Sequence, residues 1–262
     1  MIDLGKLAAL AGIINEVFME QWIEADGHGP TLVLLHPGGM GRQIWRPFVE
    51  RWSPRFRILA PEIAPAAAPS IRRHAGDLGD FLGRHARGPA YLIGASLGAN
   101  VALHAALAAP ELVRGLVLDS AQIGGPPGRA LAGLAGLLRI AGRVIPARLA
   151  AAMLLRQFAG WDAADRAAIE AELRTIGLRG LAAHIAAHAD HDLRGRLGGI
   201  VAPTLILAGA DDLLTRRGAP LQLKAGIVQA EIDIIGKAGH ATLVRQPARF
   251  AAAVESFLQR HG

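Results

Sequence analysis

The chain has 262 residues, enough for one large α/β domain, and its net charge of +6 comes from scattered arginines rather than from the concentrated basic stripe of a nucleic-acid-binding protein. Hydrophobic residues make up 52% of the chain and charged residues 19%, which excludes intrinsic disorder because so apolar a chain can bury enough surface to fold. The absence of cysteine excludes a disulfide scaffold, a cysteine-ligated zinc site and a thiolate nucleophile.

The first apolar run of the chain extends from Leu7 to Ile14, behind Lys6. It lacks the strongly positive start and the A-x-A cleavage site of a secretory signal, so we expect it to pack on the body of the protein. No run reaches the roughly 18 consecutive apolar residues that cross a bilayer. The sequence therefore predicts a soluble, cytoplasmic protein without a membrane span.

Short apolar runs alternate with helical patterns along most of the chain. This alternation predicts an α/β fold with a mostly parallel central sheet flanked by helices, in which buried strands read as continuous runs of Val, Ile and Leu. The predicted strands are Thr31–Leu35, Arg57–Ala60, Ala90–Gly94, Gly115–Leu118, Thr204–Ala208 and Glu231–Ile235. The predicted helices are Ile71–His85, Ala99–Ala108, Leu221–Gly226 and Pro247–Arg260.

Residues 124–201 interrupt this alternation, because they are rich in Ala and Leu and show a helical pattern without a strand. Gly124–Gly128 (GGPPG) marks the entry and Gly198–Pro203 (GGIVAP) the exit. We expect a helical cap inserted into a core formed by residues 1–123 and 202–262. The apolar stripe of the cap, in which arginines are interspersed, is expected to cover the catalytic domain and to line an acyl pocket. A membrane-surface role for the same stripe is an alternative that this packing does not require.

A G-x-S-x-G motif follows the strand at Ala90. It reads Gly94-Ala95-Ser96-Leu97-Gly98 and runs directly into a helical segment. In this context it is typical of a nucleophile elbow, a strained turn that lifts the serine hydroxyl out of the sheet near the free N–H groups of a helix N-terminus. Ser96 is therefore the candidate nucleophile.

The strand Thr31–Leu35 ends in His36-Pro37-Gly38-Gly39-Met40, and with the elbow this loop resembles the α/β-hydrolase superfamily. The resemblance implies an oxyanion hole formed by the N–H groups of Leu97 and Gly38, with Gly39 as the alternative, because Pro37 has no N–H to donate. It also implies that Gly39 and Met40 lie against the substrate. His36 is interpreted as a structural residue of the loop.

The same resemblance implies that the acid and the base follow later strands, in the order Ser, Asp, His. Gly209-Ala210-Asp211-Asp212 matches the acid loop of the family and makes Asp212 the acid, with Asp211 and Asp119 as alternatives. Gly236-Lys237-Ala238-Gly239-His240 matches the loop of the catalytic histidine. The expected triad is Ser96, Asp212 and His240.

A group of three histidines could suggest a metal site. His184, His188 and His191 are spaced i, i+4, i+7, but they lack an H-E-x-x-H pattern, and a triad already accounts for the chemistry. We expect neither a metal nor a cofactor.

The resemblance implies a serine hydrolase that cleaves a small to medium, mainly apolar carboxylic ester through an acyl-enzyme intermediate. A lactonase, a carbon–carbon-bond hydrolase or a lyase could use the same triad. A ligand-binding protein on the hydrolase scaffold is the alternative of a different class. The expected partner is a small-molecule ester, and the sequence leaves the oligomeric state open.

Overall fold

The computed structural model describes residues 21–66, 69–124, 129–158, 160–215 and 218–262. The apolar run from Leu7 to Ile14 and residues 125–128 of the GGPPG segment lie outside them. The strands are β1 Trp22–Asp26, β2 Thr31–Leu35, β3 Arg57–Pro61, β4 Ala90–Ala95, β5 Val113–Asp119, β6 Thr204–Gly209 and β7 Ala230–Ile235. All six predicted strands are present, each within two residues of its predicted ends.

The seven strands form one sheet in the order β1-β3-β2-β4-β5-β6-β7. Strands β2 to β7 are mutually parallel, and β1 pairs antiparallel with β3 at the edge. The mostly parallel α/β sheet predicted from the sequence is thus confirmed. Sequence reasoning missed β1, because a half-buried edge strand with two carboxylates in five residues lacks the continuous apolar run of a central strand.

Nine α-helices connect these strands within the described part of the chain. They are α1 Arg46–Trp52, α2 Ile71–His85, α3 Leu97–Ala108, α4 Arg129–Val144, α5 Ala147–Leu155, α6 Ala163–Ala186, α7 Ala219–Gly226, α8 Thr242–Arg245 and α9 Pro247–His261. None of the described helices is long and apolar enough to cross a membrane.

The two faces of the sheet are covered by different helices. Alternate residues of β2 point to opposite faces, so Val33 packs with α2 and α3 while Leu32 packs with α1 and α9. On the second face, a cluster of aromatic rings joins α1 to α9. The rings of Phe48 and Phe250 meet edge to face, with their centroids 5.2 Å apart. Both faces of the central strands are therefore buried, and polar chemistry is confined to the ends of the strands.

Between β5 and β6, the described residues form α4, α5 and α6 with short connections. Helices α4 and α5 pack on α6, which is 24 residues long and bends at Gly177, where the backbone is left-handed with φ of 57°. Helix α6 in turn lies along the loop that follows β2. The division into a core and a cap of residues 124–201 stays a prediction.

Candidate active site

Ser96 occupies the sharp turn between β4 and α3. Its backbone has φ of 50° and ψ of −108°, a conformation that a residue with a side chain rarely adopts. The N–H of Ser96 donates to the carbonyl of Asp119 at 2.8 Å, which ties the turn to the neighbouring strand β5. The sheet therefore holds the strained turn and presents the hydroxyl above the strand ends.

Two glycines make this turn sterically feasible. A Cβ atom on Gly94 would lie 2.5 Å from the carbonyl carbon of Gly98, and one on Gly98 would lie 2.2 Å from the carbonyl oxygen of Leu35. Because both neighbours are backbone atoms, no side chain could move aside to make room. The glycines of the motif are thus needed for the close approach of α3 to β4 and β2.

Three predicted site residues form a continuous chain of hydrogen bonds. The hydroxyl of Ser96 donates to His240 Nε2 at 2.8 Å, and His240 Nδ1 donates to Asp212 Oδ2 at 3.1 Å. Ser96, Asp212 and His240 lie in the loops that follow β4, β6 and β7, and the carboxyl ends of these parallel strands lie on the same side of the sheet. The geometry is that of a serine nucleophile with its base and an orienting acid.

Asp212 is held in place by its own loop. Its Oδ1 accepts the N–H groups of Leu214 and Thr215 at 2.8 and 2.9 Å, and its Oδ2 accepts the Thr215 hydroxyl at 2.6 Å. Burial alone would raise the pKa of Asp212, but the hydrogen bonds from His240 and Thr215 outweigh it and hold the pKa well below its ordinary value. Asp212 is therefore charged at neutral pH. Asp211, by contrast, is exposed.

Asp119, the other alternative acid, is fully buried behind the histidine loop. Its Oδ1 accepts the hydroxyl of Ser120 at 3.1 Å and its Oδ2 accepts the N–H of Leu243 at 3.2 Å, while Ser120 Oγ accepts the N–H of Ala241 at 3.0 Å. Burial raises the pKa of Asp119. This pair supports the backbone that follows His240 and makes no direct hydrogen bond to the imidazole.

The loop after β2 discriminates between the two candidate oxyanion donors. The N–H of Gly39 already donates to His184 Nδ1 at 2.9 Å. Among the described residues, the N–H groups of Gly38 and Leu97 have no intramolecular acceptor. A Cβ on Gly38 would lie 3.6 Å from Leu97 Cβ, so the two residues are neighbours. The geometry favours Gly38 over Gly39 as the partner of Leu97.

The sequence identified His184 only as one of three spaced histidines and did not predict its contact with the loop after β2. It is buried on α6, accepts from Gly39 through Nδ1 and donates through Nε2 to the carbonyl of Ile63 at 2.9 Å. His36 Nε2 accepts the N–H of the same Ile63 at 2.8 Å. Desolvation, together with the neighbouring His36, lowers the pKa of His184 to about 3, so the ring stays neutral and Nδ1 remains an acceptor.

The other histidines of the predicted cluster also find partners within the protein. His191 Nδ1 lies 3.0 Å from His104 Nε2, and His191 Nε2 donates to the carbonyl of Gln122 at 2.9 Å. His188 Nδ1 donates to the carbonyl of His184 at 3.0 Å. In the part of the chain that the structure describes, no group of three or more His, Cys, Asp or Glu residues is arranged to hold a metal ion.

The structure places the two residues predicted to contact substrate in different environments. Gly39 lies under α6, where a Cβ would meet Leu181 Cδ1 at 2.5 Å. Met40 is buried and packs in the aromatic core around Trp45. Their role in substrate binding stays a prediction.

A cavity of about 1050 Å³ lies between α6 and the loops after β2 and β3. Its lining includes four arginines and two glutamates, and it contains none of the triad residues: Arg42, Arg46, Glu62, Arg139, Glu172 and Arg179. Desolvation, together with the charge of Glu62, raises the pKa of Glu172 to about 7.

Comparison with known proteins identifies relatives along most of the chain. Residues 32–253 match the model of a family described as the alpha/beta hydrolase family. A pimeloyl-[acyl-carrier protein] methyl ester esterase from Nitrosomonas europaea is 29% identical over 254 residues, which cover 89% of this chain and 98% of the relative. A 2-hydroxy-6-oxononadienedioate/2-hydroxy-6-oxononatrienedioate hydrolase from Cupriavidus pinatubonensis is 28% identical over 87% of this chain and 86% of its own.

Solved structures share the same fold. A hydrolase from Pseudomonas aeruginosa superposes with a TM-score of 0.77 at 26% identity, covering 90% of this chain and 93% of its own. An enol-lactonase from Burkholderia xenovorans also gives a TM-score of 0.77, at 21% identity over 91% of this chain and 96% of its own, and at that identity the likeness concerns the fold alone.

The hydrogen bonds of the three aspartates predict how their asparagine variants will behave. Asp212→Asn removes the charge that fixes the imidazole tautomer, so we expect kcat for an ester substrate to fall by about 10⁴-fold. Asp211→Asn and Asp119→Asn should each stay within about tenfold of the wild type, or 1.4 kcal/mol. Melting curves check that all three variants fold. If kcat fell sharply in Asp119→Asn but stayed near the wild-type value in Asp212→Asn, the acid would be Asp119, after β5.

The contact between Gly39 and His184 predicts a second effect on catalysis. His184→Ala frees the loop that carries Gly38, so kcat should fall by about 10- to 100-fold with a much smaller change in KM. His184→Asn keeps an acceptor near the position of Nδ1 and should restore most of kcat. Equal kcat values for the two variants would show that the imidazole only fills space.

Proposed function

The chain belongs to the alpha/beta hydrolase family, and we propose that it is a serine hydrolase that cleaves a small to medium, mainly apolar carboxylic ester through an acyl-enzyme intermediate. One observation carries the proposal: the unbroken hydrogen-bond chain from Ser96 through His240 to Asp212. It lies beside the N–H groups of Gly38 and Leu97, which have no acceptor within the described ranges of the chain. A nucleophile, a base and a place for negative charge are therefore supplied together.

In the first half-reaction, Ser96 Oγ attacks the ester carbonyl carbon and passes its proton to His240 Nε2. The carbonyl oxygen becomes an oxyanion, which the N–H groups of Gly38 and Leu97 stabilise. Asp212 stays charged and stabilises the imidazolium through Nδ1. When the carbon–oxygen bond to the alcohol breaks, His240 returns the proton to the departing alkoxide, and the acyl group remains on Ser96.

Water completes the cycle by the same route in reverse. His240 Nε2 takes a proton from the water as its oxygen attacks the acyl carbon, and the two N–H groups again bind the oxyanion. Collapse of this intermediate breaks the bond to Ser96 Oγ, which recovers its proton from His240. The carboxylic acid leaves, and the enzyme returns to its initial state without a metal or a cofactor.

The apolar character of the substrate is supported by the surface beside the acid. Leu213 and Leu214 directly follow Asp212 and are 89% and 71% exposed. We propose that these two leucines, which follow the acid in the chain, offer apolar contact to an acyl or alcohol group. The relatives named above act on esters or are called hydrolases, which agrees with hydrolysis as the reaction. We further propose a cytoplasmic location, as expected from the sequence.

A graded series of p-nitrophenyl esters tests the proposal. We expect kcat/KM to rise over the first few carbons of the acyl chain, by up to about 0.8 kcal/mol of binding for each buried methylene, and then to fall. A fluorophosphonate probe should label the wild type but not Ser96→Ala, whose kcat should drop by roughly 10⁶-fold.

Other outcomes of the same experiment would identify the alternatives. Turnover of lactones without turnover of open-chain esters would favour a lactonase. Hydrolysis that survives in Ser96→Ala would contradict the mechanism. Acetyl esters preferred over all longer ones would contradict the apolar pocket.

A further inference from the structure

Helices α4 and α5 expose large aliphatic side chains to solvent. On α4, Leu137, Ile140 and Val144 are 62%, 61% and 77% exposed, and their spacing of three and four residues places them on one side of the helix. On α5, Leu149 and Met153 are 54% and 66% exposed and lie one turn apart. Together these two consecutive helices expose five large aliphatic residues, more than the isolated apolar residues of an ordinary surface.

The opposite side of α4 explains why these residues are exposed. Ala135 is buried, and a Cβ on Gly142 would lie 2.7 Å from Arg179 Cγ, so α4 packs on α6 through small residues. The sequence-based expectation that the apolar stripe of this segment covers the catalytic domain is therefore wrong for these residues. Ala135 and Gly142 take part in the intramolecular contact and Leu138 is half-buried on the same side, while Leu137, Ile140 and Val144 face outward.

The charged residues within α4, α5 and the turns beside them have one sign. Between Arg129 and Gly160 the sequence contains five arginines and no Asp or Glu. Among the described residues, Arg143 and Arg148 make no ion pair, although many arginines elsewhere in the molecule do. Both guanidinium groups are therefore available to an anionic partner.

We propose that this surface binds the anionic face of a phospholipid bilayer. The α4–α5 face is defined by its aliphatic and cationic residues: Leu137, Ile140, Val144, Leu149, Met153, Arg143 and Arg148. Insertion of the aliphatic groups into the headgroup boundary, with the arginines reaching lipid phosphates, is how amphipathic helices lie in an interface. The proposal concerns attachment and is independent of the proposed hydrolase chemistry.

The composition of the α4–α5 face favours lipid over an acidic protein or a second copy of the chain. Its large side chains are all Leu, Ile, Val or Met, whereas protein interfaces derive most of their energy from Trp, Tyr and Arg seated in pockets. A second copy would bring arginines against arginines in a two-fold contact centred on this face. Lipid phosphates instead neutralise the arginines, while acyl chains cover the aliphatic groups.

Co-sedimentation of the full chain with vesicles tests the proposal. We expect binding to vesicles that mix phosphatidylcholine with phosphatidylglycerol, little binding to phosphatidylcholine alone, and weaker binding as NaCl is raised. Arg143→Gln with Arg148→Gln should weaken the partition by about fivefold for each arginine. Ile140→Ser with Val144→Ser should weaken it by at least about tenfold, since the buried aliphatic groups are lost.

Matched variants on other surfaces serve as controls. Leu221→Ser with Val228→Ser, at residues 63% and 84% exposed, and Arg84→Gln should bind as the wild type does. All variants should hydrolyse a water-soluble ester at the wild-type rate, which separates this proposal from the hydrolase proposal. Absence of binding to the anionic vesicles, or equal loss in test and control variants, would overturn it. So would a stable dimer, or a complex with an acidic protein, that the α4–α5 variants abolish while vesicle binding is unaffected.

Discussion

The N–H of Gly39 donates to His184 on α6, and through this contact the helices between β5 and β6 fix the loop that follows β2. Because the N–H of Gly39 already has His184 as its acceptor, the N–H of Gly38 is the one that remains beside the N–H of Leu97 at the start of α3. Ile63 is held between His36 and His184, so the loop after β3 joins the same network. The shape of the proposed oxyanion site therefore depends on a neutral histidine outside the proposed triad.

Around this contact, the parallel sheet brings its loops together at one edge. The strained turn at Ser96 is tied to β5, and Asp119 with Ser120 supports the loop that carries His240. The loop of Asp212 folds around its own carboxylate and keeps it charged. Each group of the proposed mechanism is thus positioned by a neighbour on a different strand, which limits the reorganisation needed during reaction.

The sequence was sufficient for the features that local patterns encode. The six predicted strands and the G-x-S-x-G turn each depend on residues close together in the chain, while Asp212 and His240 follow from the resemblance of their loops to those of the family. The contacts of His184 and Ser120 were missed because they join residues 145 and 121 positions apart. The exposed side of α4 was misjudged because periodicity defines an apolar face without showing what covers it.

A crystal structure of the protein inhibited at Ser96 by an alkyl phosphonate tests the central claim most directly. The account predicts that the phosphonyl oxygen lies about 3 Å from the N atoms of both Gly38 and Leu97, with the bond from Gly39 to His184 intact. A phosphonyl oxygen bound instead by the N–H of Gly39, with His184 displaced, would contradict it.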